Sequence, residues 1–289
     1  HSLRRRQRQM CIRDSIYKDL QRADFNRSWT GISYGSGYEG QGCVNDEMTN
    51  YYVEFMKKHI FAYLNPPITS KVLPMYWYLG YNVYSKGVLE VGGVILASWI
   101  VPIHENYDGL DYWCTCMFGE DNPSDPYLIP TDRALLDRRR KMILAPVLEK
   151  AVKAGNIIIP EEFEVGFDHV TNLIAGLGME DDPNYYLTRG YPGSVNTYVF
   201  NSISEPANNS YPPTNEETFI GYMHLSMYYN QARLAEVYPA DKYPFLTEKF
   251  AFVQKYLKDK YQIDLEAIAN GPEDWDLPLP PIPETPDEE

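Results

Sequence analysis

"LAPVLEKAVKAGNIIIPEEF", residues 144–163, is the stretch on which the reading of the fold turns. It closes a helix expected from Thr131 to Ala154, with Thr131 as N-cap and Asp132 in the first turn beside the positive end of the helix dipole. Gly155 follows as terminator, and Pro146, which has no N–H to give, is expected to kink the helix or divide it in two. Downstream, Thr214 introduces "NEETFIGYMHLSMYYNQARLAEVY", 215–238, which reads as one helix. Residues 244–261 carry the clearest helical signal. Leu246, Phe250, Val253 and Leu257 recur at four-, three- and four-residue steps, which is one apolar stripe.

Upstream, a helix is expected from Asn50 to Tyr63, with Tyr52, Phe55, His59 and Ala62 on one face and Pro66–Pro67 as its stop. "KVLPMYWYLGYNVY", 71–84, is apolar and aromatic, and its type stays open. "GVLEVGGVILASWIV", 87–101, reads as a β-branched strand with a glycine kink, and "LDYWCTCMF", 110–118, as an alternating strand. "GISYGSGYEGQG", 31–42, is a loop by composition, with short strands around it left open. Its Gly35, Gly37 and Gly40 fit the letters of a dinucleotide fingerprint but neither follow a clear strand nor open a helix, so nucleotide binding is not supported. A short helix is expected within 163–175, and 176–214 is long and irregular, the kind of segment that often shapes a site. The fold class is α+β, a mainly helical C-terminal half packed on a small sheet from residues about 70–120.

The first fifteen residues read differently. "RRQRQMCIRDS", 5–15, back-translates into a sequence that resembles a transposon-end sequencing adaptor, so 1–15 is expected to be non-native and to pack against nothing. Residues 16–270 are expected to form a single globular domain, and 271–289 a Pro-rich, acidic, disordered tail. The net charge of −14 becomes −18 without the five Arg and one Asp of the adaptor, leaving 21 basic and 39 acidic residues. Such a surface excludes nucleic acid, which needs cations to displace its counterions. The longest apolar run, "VGGVILASWIVPI" at 91–103, is too short for a transmembrane helix. Setting Cys11 aside leaves Cys43, Cys114 and Cys116, an odd set that fits neither a disulfide framework nor a zinc ribbon.

Chemistry is sparse. "HENYDG", 104–109, places His104 and Glu105 as in the first half of an HExxH zinc motif, but Pro102 and Gly109 favour a turn over the helix this motif needs. Glu217 and His224 stand two helical turns apart and could face one pocket. With His104 and Glu105 they are the candidate catalytic residues of a metal-dependent hydrolase. Tyr76 and Trp77 (with Tyr78), and Tyr185 and Tyr186, are candidate platforms for stacking on a sugar.

Three stretches carry a resemblance to a known family: "SKVLPMYWYLGYNVY" at 70–84, "PEEF" at 160–163, and "TNEETFIGYMHLSMY" at 214–228 with "LTEKFAFVQKYLKDKYQIDLEAI" at 246–268. Together they resemble the zinc-binding metallopeptidase lipoproteins associated with TonB-dependent nutrient import in Bacteroidetes. Counted back from Pro160, the His-Glu pair and second His of that family would fall on Val147, Leu148 and Ala151, so its HExxH motif is absent here. The resemblance therefore implies the fold and an exported, periplasmic or outer-membrane-anchored setting with peptidase chemistry lost. It implies a peptide or glycan ligand, an outer-membrane uptake receptor as partner, and no cofactor. The alternatives are an active zinc-dependent hydrolase with an atypical site and a plain glycan-binding module.

Overall fold

The computed structural model of the chain describes residues 20, 22–25, 37–42, 46–102, 105–106, 112–116 and 133–272. The adaptor-like segment 1–15, Cys43, the expected cap Thr131 and residues 273–289 of the tail lie outside them. Along the chain run α1 (Arg22–Phe25), β1 (Gly37–Gly42), α2 (Asp46–Phe55), α3 (Pro66–Thr69), β2 (Tyr76–Val91), β3 (Val94–Pro102), β4 (Glu105–Asn106) and β5 (Tyr112–Cys116). Then follow α4 (Arg133–Lys153), α5 (Glu161–Glu164), β6 (Ser194–Val195), β7 (Ile203–Ser204), α6 (Asn215–Tyr228), α7 (Gln231–Val237), α8 (Pro244–Tyr261) and α9 (Leu265–Asn270). The class is α+β. Packing distinguishes two compact units, one among His1–Lys58 and Leu73–Leu136, the other among His59–Val72 and Asp137–Trp275. The span 16–270, read from sequence as one globular domain, holds described residues of both.

In the first unit β2 is the central strand. It pairs antiparallel with β1 and β3 and parallel with β5, and β4 adds to the far side of β5. Tyr78 and Tyr112 stack at 4.4 Å over Phe25, and the Tyr112 hydroxyl donates to the Phe25 carbonyl at 2.6 Å. The segment read as a loop at 31–42 contributes β1 from Gly37 onward, which corrects that reading. A Cβ on Gly40 would lie 2.9 Å from Val83 Cγ2, so glycine here serves close packing of a strand. The kink expected in 87–101 is also corrected: it is a hairpin turn. Gly92 and Gly93 both take positive φ (62° and 83°), the geometry of a two-residue β-turn, and Val91 pairs with Val94 across it. Cys114 and Cys116 are buried in this unit's core.

In the second unit α4 passes through Pro146 undivided. It ends where Gly155 takes φ 73° and the Asn156 N–H returns to the Ala151 carbonyl. Arg140 on α4 is fully buried. Its guanidinium lies over the Tyr63 ring and donates to Asp137 and to the Ile268 carbonyl, tying α4 to α9. The helix expected over 215–238 is two helices. Asn230 leaves the helical conformation and accepts from the Arg233 N–H at 2.8 Å, so α7 starts there with its own cap. α6 itself opens with a reciprocal capping box between Thr214 and Glu217. The short helix expected within 163–175 lies earlier, as α5. α8 spans Pro244 to Tyr261 as its stripe requires.

Lys249 of α8 is buried among aromatic rings. Its ammonium lies 5.2–5.9 Å from the centroids of Phe163, Phe167, Phe245 and Phe252 and donates to the Phe163 carbonyl at 2.8 Å. Lys249→Met keeps the stem but strands that carbonyl and removes the cation from the rings. We expect a loss of about 1–3 kcal/mol, read as a lower urea midpoint with unchanged m-value.

Candidate functional site

The inner face of α4 decides whether the metal implied by the family resemblance has a place. Val147, Leu148 and Ala151 are fully buried, as are Leu144 and Ala145 beside them. None of these side chains carries a donor atom for a metal, so they do not fit zinc. Among the described residues no group of three or more His, Cys, Asp and Glu side chains is placed to hold an ion.

Between Leu148 and Ala151 on the same helix, Glu149 meets His224 of α6, with Glu149 Oε2 3.8 Å from His224 Nε2. The other carboxylate oxygen accepts from Lys153 at 2.6 Å, a contact that raises the lysine's pKa. Burial drives His224 down to about 4, against the opposing pull of Glu149, so the imidazole is neutral at pH 7 and the contact is not then an ion pair. Its Nε2 is buried without a hydrogen-bond partner. A neutral, desolvated imidazole of this kind can exchange a hydrogen bond with a ligand group but is a weak base. Glu217, expected to share a pocket with His224, instead spends its carboxylate on the Thr214 N–H and hydroxyl, at 2.8 and 2.9 Å. The partner that the structure gives His224 is Glu149. Nothing in the sequence pairs two residues that lie so far apart.

The other sequence candidates separate by environment. His104 lies outside the described residues, and Glu105 opens β4, paired with Thr115 rather than on a helix. Tyr76 and Trp77 begin β2 half-buried. The Trp77 ring meets Trp113 edge-on at 5.4 Å, and its indole N–H donates to the Thr115 hydroxyl. Tyr185 and Tyr186 are buried against one another at 4.8 Å and offer no open ring face to a sugar.

The irregular segment after α5 is held by its own hydrogen bonds and bridges. Leu173 bridges Ser210, Ile174 bridges Tyr185, and β6 pairs with β7. Arg189 donates to the Asp168 and Thr171 carbonyls and to Asn184, and the Tyr191 hydroxyl donates to the Asp168 carbonyl at 2.8 Å. Asn208 accepts from the Ala175 N–H, and Asn172 donates to Asn209. On this framework large side chains stand in solvent: Tyr211 at 83 % exposure directly after the Leu173–Ser210 bridge, and Leu177 at 97 % two residues past Ala175. A fixed irregular surface bearing exposed aromatic and apolar groups is suited to binding.

No family model and no curated protein matches the chain. Among solved structures it is similar to a Bacteroides caccae ATCC 43185 protein provisionally assigned as a zinc-binding metallo-peptidase, at 14% identity and a TM-score of 0.42, over 86% of this chain and 85% of that one.

Two outcomes test this geometry. Below pH 6.5 the unfolded imidazole of His224 gains a proton that the folded one refuses until about pH 4, so stability falls as pH drops through that window. Urea unfolding should show about 2 kcal/mol less stability at pH 5 than at pH 7 from this residue, a difference that His224→Gln removes. Leu148→Glu, which places a carboxylate on this apolar face, buries an unpaired charge and should cost roughly 3–5 kcal/mol in the same assay.

Proposed function

We propose that this chain is a non-catalytic binding protein of metallopeptidase-like build, exported and held at the cell envelope as a lipoprotein. In this reading it takes a peptide or glycan and passes it to an outer-membrane uptake receptor. The observation that carries the proposal is the inner face of α4, where the positions of a catalytic His-Glu pair and second His hold buried aliphatic side chains. Water activation by a metal needs donors there, and hydrocarbon supplies none. The hydrogen-bonded segment 165–213 supports a binding role, because its exposed Tyr211 and Leu177 are presented on backbone already fixed before a ligand arrives.

Purified protein should show no zinc-dependent cleavage of a denatured protein substrate and should retain ligands on a combined peptide and carbohydrate array. Tyr211→Ala should weaken that retention by roughly tenfold without lowering the thermal midpoint. Zinc-dependent hydrolysis that disappears in His224→Ala would replace this reading with that of an atypical hydrolase. Retention confined to sugars would narrow the protein to a glycan-binding module, and retention of nothing would overturn the proposal.

A further inference from the structure

Among the described residues no strand accompanies the far end of the β2–β3 hairpin. β1 pairs with β2 only as far as Lys86, and the outer edge of β3 pairs with no strand among the described residues. Beyond that point eight large apolar side chains between Leu89 and Val101 stand 41–62 % exposed. Residues 87–101 carry a single charge, Glu90, and β3 has no Lys, Arg, Asp or Glu at all. A two-stranded ribbon bare on both faces is marginal in water, and an apolar edge without a charged residue is open to strand pairing. The indole of Trp99 lies across Gly87, where a Cβ would meet the ring at 2.2 Å, so the ribbon's own packing uses one face of one ring.

We propose that β3 pairs edge to edge with β3 of a second copy of this chain, antiparallel and centred on Ser98, joining two hairpins into one four-stranded ribbon. Three observations select a second copy as the occupant. A two-fold axis through Ser98 sets Ala97 opposite Trp99 of the second copy, Leu96 opposite its Ile100 and Ile95 opposite its Val101. The bulkiest ring therefore meets the smallest side chain, and every pair beyond the central serines is apolar. The exposed area is the second. Six of the eight exposed side chains, Val94, Ile95, Leu96, Trp99, Ile100 and Val101, belong to β3 itself, so the exposed apolar surface is concentrated on the strand that pairs. The third is charge: a chain at −14 repels its own copies over most of its surface, and this strand is a neutral stretch on which they can meet.

Sedimentation of the full chain across a concentration series should show a reversible monomer–dimer equilibrium. Ile95→Lys places an ammonium in the paired strand and should weaken the dimer by at least about tenfold while the circular dichroism stays unchanged. Ser98→Cys should form an interchain disulfide under mild oxidation. Leu89→Cys, on the strand away from the axis, should not, and the unsubstituted chain controls for its own thiols. A chain that remains monomeric at high concentration overturns the proposal. So does a dimer indifferent to Ile95→Lys, which would use another surface, and a monomer that floats with zwitterionic lipid vesicles, which would make lipid the occupant.

Discussion

The buried ammonium of Lys249 organises the second unit. A lysine in apolar surroundings is costly, and here the cost is offset by two kinds of contact: carbonyls at the end of α5 and the faces of four phenylalanines. Desolvation still dominates, since the pKa of Lys249 is drawn below its ordinary value. The consequence is positional. Phe163 is fixed against Phe219 and Tyr222 of α6 on one side and against α8 on the other, at centroid distances of 5.0, 5.8 and 6.2 Å. Phe167 and Phe245 then carry the order into the irregular segment. Gly166 and Gly190 both pass so close to the Phe245 ring that a Cβ would lie 2.9 and 2.4 Å from it. Tyr222 completes the attachment by donating to the Gly190 carbonyl at 2.5 Å.

This attachment explains why a segment without regular structure is not a loose one. Several of its backbone groups find partners in Asn and Asp side chains and in isolated bridges rather than in a long ladder. Asp168 illustrates the economy. Its carboxylate accepts from the Val170 and Thr171 N–H groups, which hold its pKa well below the ordinary value, while its carbonyl serves Arg189 and Tyr191.

Legibility in the sequence followed the physical origin of each element. α8 was visible because its stripe is local: four apolar residues at helical spacing, bounded by Pro244 and a left-handed Gln262. The hairpin was not, because period-two alternation marks a strand with one solvated face, and 87–101 is apolar on both. Without alternation the paired Gly92–Gly93, a strong turn signal, looked like a kink. The break at Asn230 was hidden by helix formers on either side, and only its cap geometry divides the run. The apolar positions on α4 could be read residue by residue, whereas the meeting of His224 with Glu149 depends on how α6 lies against α4 and leaves no local trace.

The neutral state of His224 ties these observations together. Desolvation of the buried ring exceeds the attraction of a single glutamate 3.8 Å away, and the imidazole gives up its proton. Val147, Leu148 and Ala151, fully buried on the helix that carries Glu149, have no side-chain donor for a metal. On the same unit the hydrogen-bonded segment 165–213 presents Tyr211 and Leu177 to solvent.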